Sequence, residues 1–177
     1  MTLRSPGSLS RKLVIDTNFL LLLIGYECSL LQNLGDIERH RLLEEIRARD
    51  DHVPFERFDH LWQLFKNAEQ NIVTQHVIAE AYGLRKRFGS LRARKDLVWR
   101  AALTILRSSG IEEDSFQVRE LNDRPEYQRI LTELGFTDTG LLITAERRKA
   151  TILTEDGALQ DWAMARSIPV LHLERLG

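Results

Sequence analysis

Apolar residues fall along this chain in two rhythms. Short unbroken runs alternate with longer stretches in which large apolar residues recur at three- and four-residue intervals. Leu13-Val14-Ile15, closed by Asp16, predicts a strand over residues 12–16, buried on both faces. The next apolar run, Phe19 to Ile24, predicts a helix over residues 20–26 packed on the sheet. Ile37, Leu42, Leu43 and Ile46 mark a charged helix over 36–50, and Phe58, Leu61, Trp62 and Phe65 mark another over 55–70. A strand at 71–74 is followed by a helix over 75–88 with Val77, Ala81, Leu84 and Phe88 on one face. A helix over 93–107 and a strand over 115–118 come next. Pro125 opens a helix that Gly135 stops near Leu134, and a second helix spans 137–148. A strand at 150–154, a helix at 157–166 and a strand at 169–173 complete the chain. Such alternation predicts an α/β fold, a three-layer α/β/α sandwich with a mainly parallel central sheet. Residues 12–177 read as a single domain, with 1–11 as a flexible tail and about 27–70 as a helical elaboration.

Composition narrows the function classes. A length of 177 residues supports one domain with a proper core. The formal net charge is -1, so any attraction for nucleic acid has to come from a local patch. One cysteine, Cys28, excludes an internal disulfide, and no Cys/His cluster suggests zinc. The basic N-terminus loosely resembles a secretory signal, but Asp16 and Asn18 interrupt its apolar part and no small-residue cleavage site follows. The run Phe19 to Ile24 is too short to cross a bilayer. The expectation is a cytoplasmic protein with no membrane partner.

The chemistry lies in four acids. Asp16 closes the first strand, Asp156 follows the strand in "TILTEDGAL", Glu80 sits early in the helix after "NIVT", and Asp138 opens the helix in "FTDTGLLITAERR". Ligands of parallel sheets bind at the carboxyl ends of the strands; Asp16, Asp156 and Glu80 map to that edge, and Asp138, at a helix N-terminus, can reach it. Two unit charges about 5 Å apart repel by roughly 3 kcal/mol at an effective dielectric of 20. A divalent cation relieves that cost, and oxygen donors alone favour Mg²⁺ or Mn²⁺. Taken singly, Asp138 and Asp156 are ordinary helix N-caps and Glu80 an ordinary surface acid. Asp161 is either a further acid of the set or a charge on a wet helix face.

At these residues the sequence resembles the PIN-domain family of nucleases, which includes VapC-like bacterial ribonucleases. "LVIDTNFLL" looks like the family's first motif and "VTQHVIAEAYGL" like its second. "GFTDTGLLITAERRKATILTEDGAL" looks like the third and fourth run together. The resemblance implies that Asp16, Glu80, Asp138 and Asp156 are catalytic metal ligands. Asn18 and Thr154 would then orient carboxylates or water. It implies a Mg²⁺- or Mn²⁺-dependent endoribonuclease that cuts single-stranded RNA with metal-activated water. Many bacterial members are toxins, so an antitoxin protein and a homodimer are the partners implied. The chain departs from the family pattern at Thr139-Gly140, and its helical stretch before the second motif is long.

Residues 85–100 hold seven Lys or Arg and one acid. Arg85, Lys86, Arg87, Arg92, Arg94 and Lys95 are the candidate RNA contacts, set against the plainer reading of a solvated face. Arg147, Arg148 and Lys149 form a smaller basic group. Phe88 and Trp99 are candidates for base stacking or for the core, His76 for a phosphate contact or for packing, and Trp62 and Trp162 read as core. A haloacid-dehalogenase-type phosphotransferase fits less well, because Asn18 stands where its second Asp belongs. The non-enzymatic alternative is a PIN-like module that binds RNA or protein without cutting.

Overall fold

The apolar run at residues 13–15 forms the middle of the sheet. In the computed structural model β1 (Lys12–Ile15) is flanked by β2 (Gln70–Thr74) and β4 (Thr151–Leu153). Outside these lie β3 (Ile111–Asp114) and β5 (Val170–Leu171), giving the order β3-β2-β1-β4-β5 with every pair parallel. Residues 12–49, 51–108, 110–116, 118–122 and 125–176 are described; the expected tail, 1–11, lies outside them. The direction of strand addition reverses between β1 and β4, so the crevice of this doubly wound sheet opens beside the ends of those two strands.

Eight α-helices are seen among the described residues: α1 (Thr17–Leu31), α2 (Asp36–Arg47), α3 (Phe55–Asn67), α4 (Gln75–Gly83), α5 (Lys95–Leu106), α6 (Val118–Asn122), α7 (Pro125–Arg148) and α8 (Gly157–Ala165). Right-handed crossovers put the helices joining β1, β2 and β3 on one face of the sheet. Those leading to β4 and β5 lie on the other, which makes the three-layer α/β/α sandwich. No helix among the described residues is long and apolar enough to cross a membrane.

The run Phe19 to Ile24 is apolar all round because α1 is enclosed all round. It packs against α5 and α4 and is covered by α2 and α3, and Phe19 through Tyr26 are buried. A helix without a polar face needs such cover. The segment 27–70 supplies it through Leu42, Leu43, Ile46, Phe58, Leu61 and Phe65, all in the core. Trp62 is partly buried, its ring stacked 4.7 Å from that of Tyr26.

Three local expectations need correction. The strand expected at 115–118 lies at 111–114 instead. Its sequence, IEED, lacks the apolar signature of a strand because it is an edge strand, neutralised by Arg147 on Asp114 and Arg148 on Glu112. The helix expected over 75–88 ends at Gly83, and residues 85–94 form two short 3₁₀ turns. The last strand is only two residues long. By contrast Gly135, at φ 82°, breaks α7 where the sequence placed a stop.

One buried ion pair ties the elaboration to the sheet. The Arg47 guanidinium, at the end of α2, donates to both oxygens of Glu155, just beyond β4, at 2.8–3.2 Å. It also donates to the Asp51 carbonyl and carboxylate, and Arg49 donates to the Glu155 carbonyl at 2.7 Å. The Arg47 and Glu155 side chains are 1% and 0% exposed. Removing one partner strands a buried charge. Arg47→Ala therefore loses on the order of 3–5 kcal/mol in urea unfolding, whereas the apolar double replacement Arg47→Met with Glu155→Leu loses much less.

Candidate active site at the carboxyl edge

Asp16 stands where β1 turns into α1. Its Oδ1 accepts from the Phe19 N–H at 2.8 Å, so it caps the helix, and the residue is 4% exposed. Asp156 does the same beyond β4, its Oδ1 accepting from the Leu159 N–H at 2.8 Å. The N-cap role and a site role coexist, because each carboxylate has two oxygens. Between them lies Thr154, fully buried. Its hydroxyl accepts from the Asp156 N–H at 3.0 Å and faces Asp16 as a donor. Thr154 thus touches the Asp156 backbone and the Asp16 side chain.

Glu80 reaches the edge from α4. It is exposed, and its Oε2 accepts from the Thr17 hydroxyl at 2.8 Å. Asp138 comes from the first turn after the break in α7. There Thr139 donates to the Gly135 carbonyl at 2.6 Å and holds the new helix start. Asp138 is half-buried and feels the charges of Asp156 and Glu80, while Asp16 feels that of Asp138. The four predicted acids thus share one electrostatic neighbourhood at the switch point between β1 and β4. Asp161 is exposed on α8.

Burial and like charge raise two of these acids, Asp16 and Asp138. Asp16 is pushed up to about 7, chiefly by desolvation; the Phe19 N–H and Thr154 hydroxyl pull the other way, and Asp138 and Glu155 add repulsion. Asp138 is raised to about 6 by burial, then by Asp156 and Glu80. Oxygen donors of this kind could hold a hard divalent cation. No three of the four acids bring ligand oxygens within 4.8 Å of one another. Among the described residues, three ligand-type side chains come within 4.8 Å of one another only at His40, Glu44 and His52, remote in sequence from all four acids. Those groups have another task. His40 Nε2 bonds to the Val53 carbonyl at 2.8 Å and Glu44 Oε1 accepts from the Val53 N–H at 3.2 Å, clamping the turn before α3 from both sides.

The basic segment meets the acids at one point. Arg87 donates to Asn18 Oδ1 at 2.7 Å, two residues from Asp16. Asn18 Oδ1 is thus engaged by an arginine. Arg85 lies on the Tyr82 ring, Arg94 bonds Gln32, and Lys86 and Lys95 are exposed; the Arg92 side chain lies outside the described residues. Arg94 lines a groove of about 630 Å³ with Leu31, Leu34, Leu97 and Arg100, and none of the four acids borders it. Arg147 and Arg148 are engaged by the acids of β3 and α6. Phe88 is core, Trp99 is half exposed beside Tyr82, and Trp162 is partly buried with its N–H on Glu133.

Sequence reasoning missed Thr17 as the Glu80 partner and Glu155 as a buried charge beside the set. Thr17 carried a signal, since it adjoins Asp16 in the first motif. The Arg47–Glu155 pairing joins residues 108 apart and left no local sign. No family model matches the chain, and no curated protein or solved structure matches it.

The raised carboxyls make the metal-free protein pH-sensitive. Between the unfolded value near 3.8 and about 7, folded Asp16 keeps a proton that the unfolded chain has lost. Its contribution is therefore lost as pH rises through that window, by on the order of 4 kcal/mol. Asp16→Asn keeps the cap acceptor and removes the titration. In EDTA, melting curves are expected to place the Asp16→Asn variant above wild type at pH 8, with the gap closing by pH 4.

Proposed function

We propose that this carboxyl edge is a divalent-cation site and that the protein is a Mg²⁺- or Mn²⁺-dependent endoribonuclease of the PIN-like kind, cutting single-stranded RNA. One observation carries the reading. Asp16 and Asp138 are driven toward protonation by burial and by neighbouring acids, at the switch point of the sheet. Such a set costs stability on its own, and a hard cation offsets the cost. The donors fit in kind, since Asp16, Glu80, Asp138 and Asp156 offer carboxylates and Thr17 and Thr154 hydroxyls. A divalent ion there supplies charge neutralisation for a phosphodiester and acidifies a bound water.

The chain's own groups do the positioning. The Phe19 and Leu159 N–H groups fix one oxygen each of Asp16 and Asp156, and the Thr154 hydroxyl sets the spacing between these acids. Thr17 holds Glu80 from the next residue along from Asp16. Asn18 holds the Arg87 guanidinium at the rim, a cation suited to a phosphate oxygen of the substrate.

Cleavage of end-labelled single-stranded RNA tests the reading. Cutting is expected with Mg²⁺ or Mn²⁺, not with EDTA, and not by Asp16→Asn or Asp138→Asn protein of confirmed fold. Thr154→Val, which removes only the bridging hydroxyl, is expected to lose roughly 10- to 100-fold in rate. RNA binding with no cutting in any metal would replace the nuclease reading with that of a binding module.

A further inference from the structure

Three rings lie between α4 and the restart of α7. His76 is in the first turn of α4, one helical turn before Glu80, on the same face. Its ring sits 5.1 Å from that of Phe116 and 6.2 Å from that of Phe136, the latter tilted by only 28°. Phe116 and Phe136 are 6.5 Å apart and inclined by 23°. Phe136 directly follows the Gly135 break and precedes Asp138 by two residues.

The group is graded in exposure. Phe116 is buried, His76 is half-buried and Phe136 is 49% exposed. Gly140 makes this arrangement fit. A Cβ there would stand 2.6 Å from the Phe116 ring, so a larger residue would push that ring away. Thr139-Gly140, the departure from the family pattern, thus has a local physical reason. Thr139 ties down the helix start and Gly140 admits the ring that supports His76 and Phe136.

An apolar ring of this size left half in water costs free energy unless something covers it. Its position selects the cover. The rings adjoin Glu80 and Asp138, and Arg87 marks another part of the same rim. We infer that Phe136, backed by His76 and Phe116, is a stacking platform for a nucleobase of the single-stranded chain whose phosphate lies at the acids. The inference rests on the nuclease reading above and adds a base subsite to it. A π-face accepts any base, so the platform selects for unpaired nucleotides rather than for a sequence.

The test is binding of a dye-labelled RNA octamer, read by fluorescence anisotropy in Mg²⁺, in an Asp138→Asn background that does not cut. Adding Phe136→Ala is expected to weaken binding roughly 5- to 150-fold, the range for losing one base–aromatic stack. Phe136→Trp is expected to restore it and Phe136→Leu to leave it weak. An octamer of abasic residues is expected to bind the parent as poorly as the normal octamer binds the alanine variant. That arm needs no change in the protein. Equal affinity of parent and Phe136→Ala protein for the normal octamer would overturn the platform and leave the nuclease reading standing. A parent that binds no single-stranded nucleic acid, from a wild type that cuts none, would overturn both.

Discussion

A carboxylate held in the interior at the end of a central strand is the constraint on which this structure turns. Asp16 is surrounded by core residues of β1 and α1, and its side chain is nearly out of water. Ordinary folding gains from apolar residues at such a place. The chain instead surrounds the carboxylate with donors: the Phe19 N–H from below and the Thr154 hydroxyl from β4's end. These lower its cost without removing it, and Asp138 and Glu155 raise it again. Burial and neighbouring charge thus disfavour the ionised form at this position, the feature on which the proposed cation site rests.

The elaboration between β1 and β2 balances that charge from behind. Glu155 sits one residue from both Thr154 and Asp156, deep enough to act on Asp16. Arg47 neutralises it from the end of α2, and the same α2 and α3 cover the apolar α1 that Asp16 caps. One segment therefore completes the core and pairs the second buried anion, whose remaining effect on Asp16 comes last among the causes of its shift. The long helical insertion is accounted for by packing and charge balance within this chain.

Most of the architecture was legible because it follows from periodicity. The apolar runs at 13–15 and 72–73, the stripe Phe58-Leu61-Phe65 and the stop at Gly135 are local patterns, and they found β1, β2, α3 and the break in α7. The edge strand β3 was not legible, since its polar residues are explained only by arginines some 33–36 positions away. At the site, Asp16 and Asp156 follow from strand ends that converge in a parallel sheet, Glu80 and Asp138 from helices beside that edge, and Thr154 from the family resemblance alone. The Arg87 contact of Asn18 left no local sign, because it spans 69 residues. The His76–Phe116–Phe136 group comes from three separate segments, and of these rings the sequence singled out His76 alone, for a phosphate contact or for packing.

The central claim, as proposed above, is that the four acids are a cation site in which Asp16 and Asp138 keep protons when no ion is bound. Mn²⁺ titration calorimetry at pH 6.5, repeated in buffers of different ionisation enthalpy, reads binding and proton release together. The account predicts binding that expels about one proton from the Asp16 and Asp138 pair. In the Asp16→Asn protein both affinity and proton release should fall. Binding without proton release, unchanged by that substitution, would place the ion elsewhere and contradict the account; so would no binding at all.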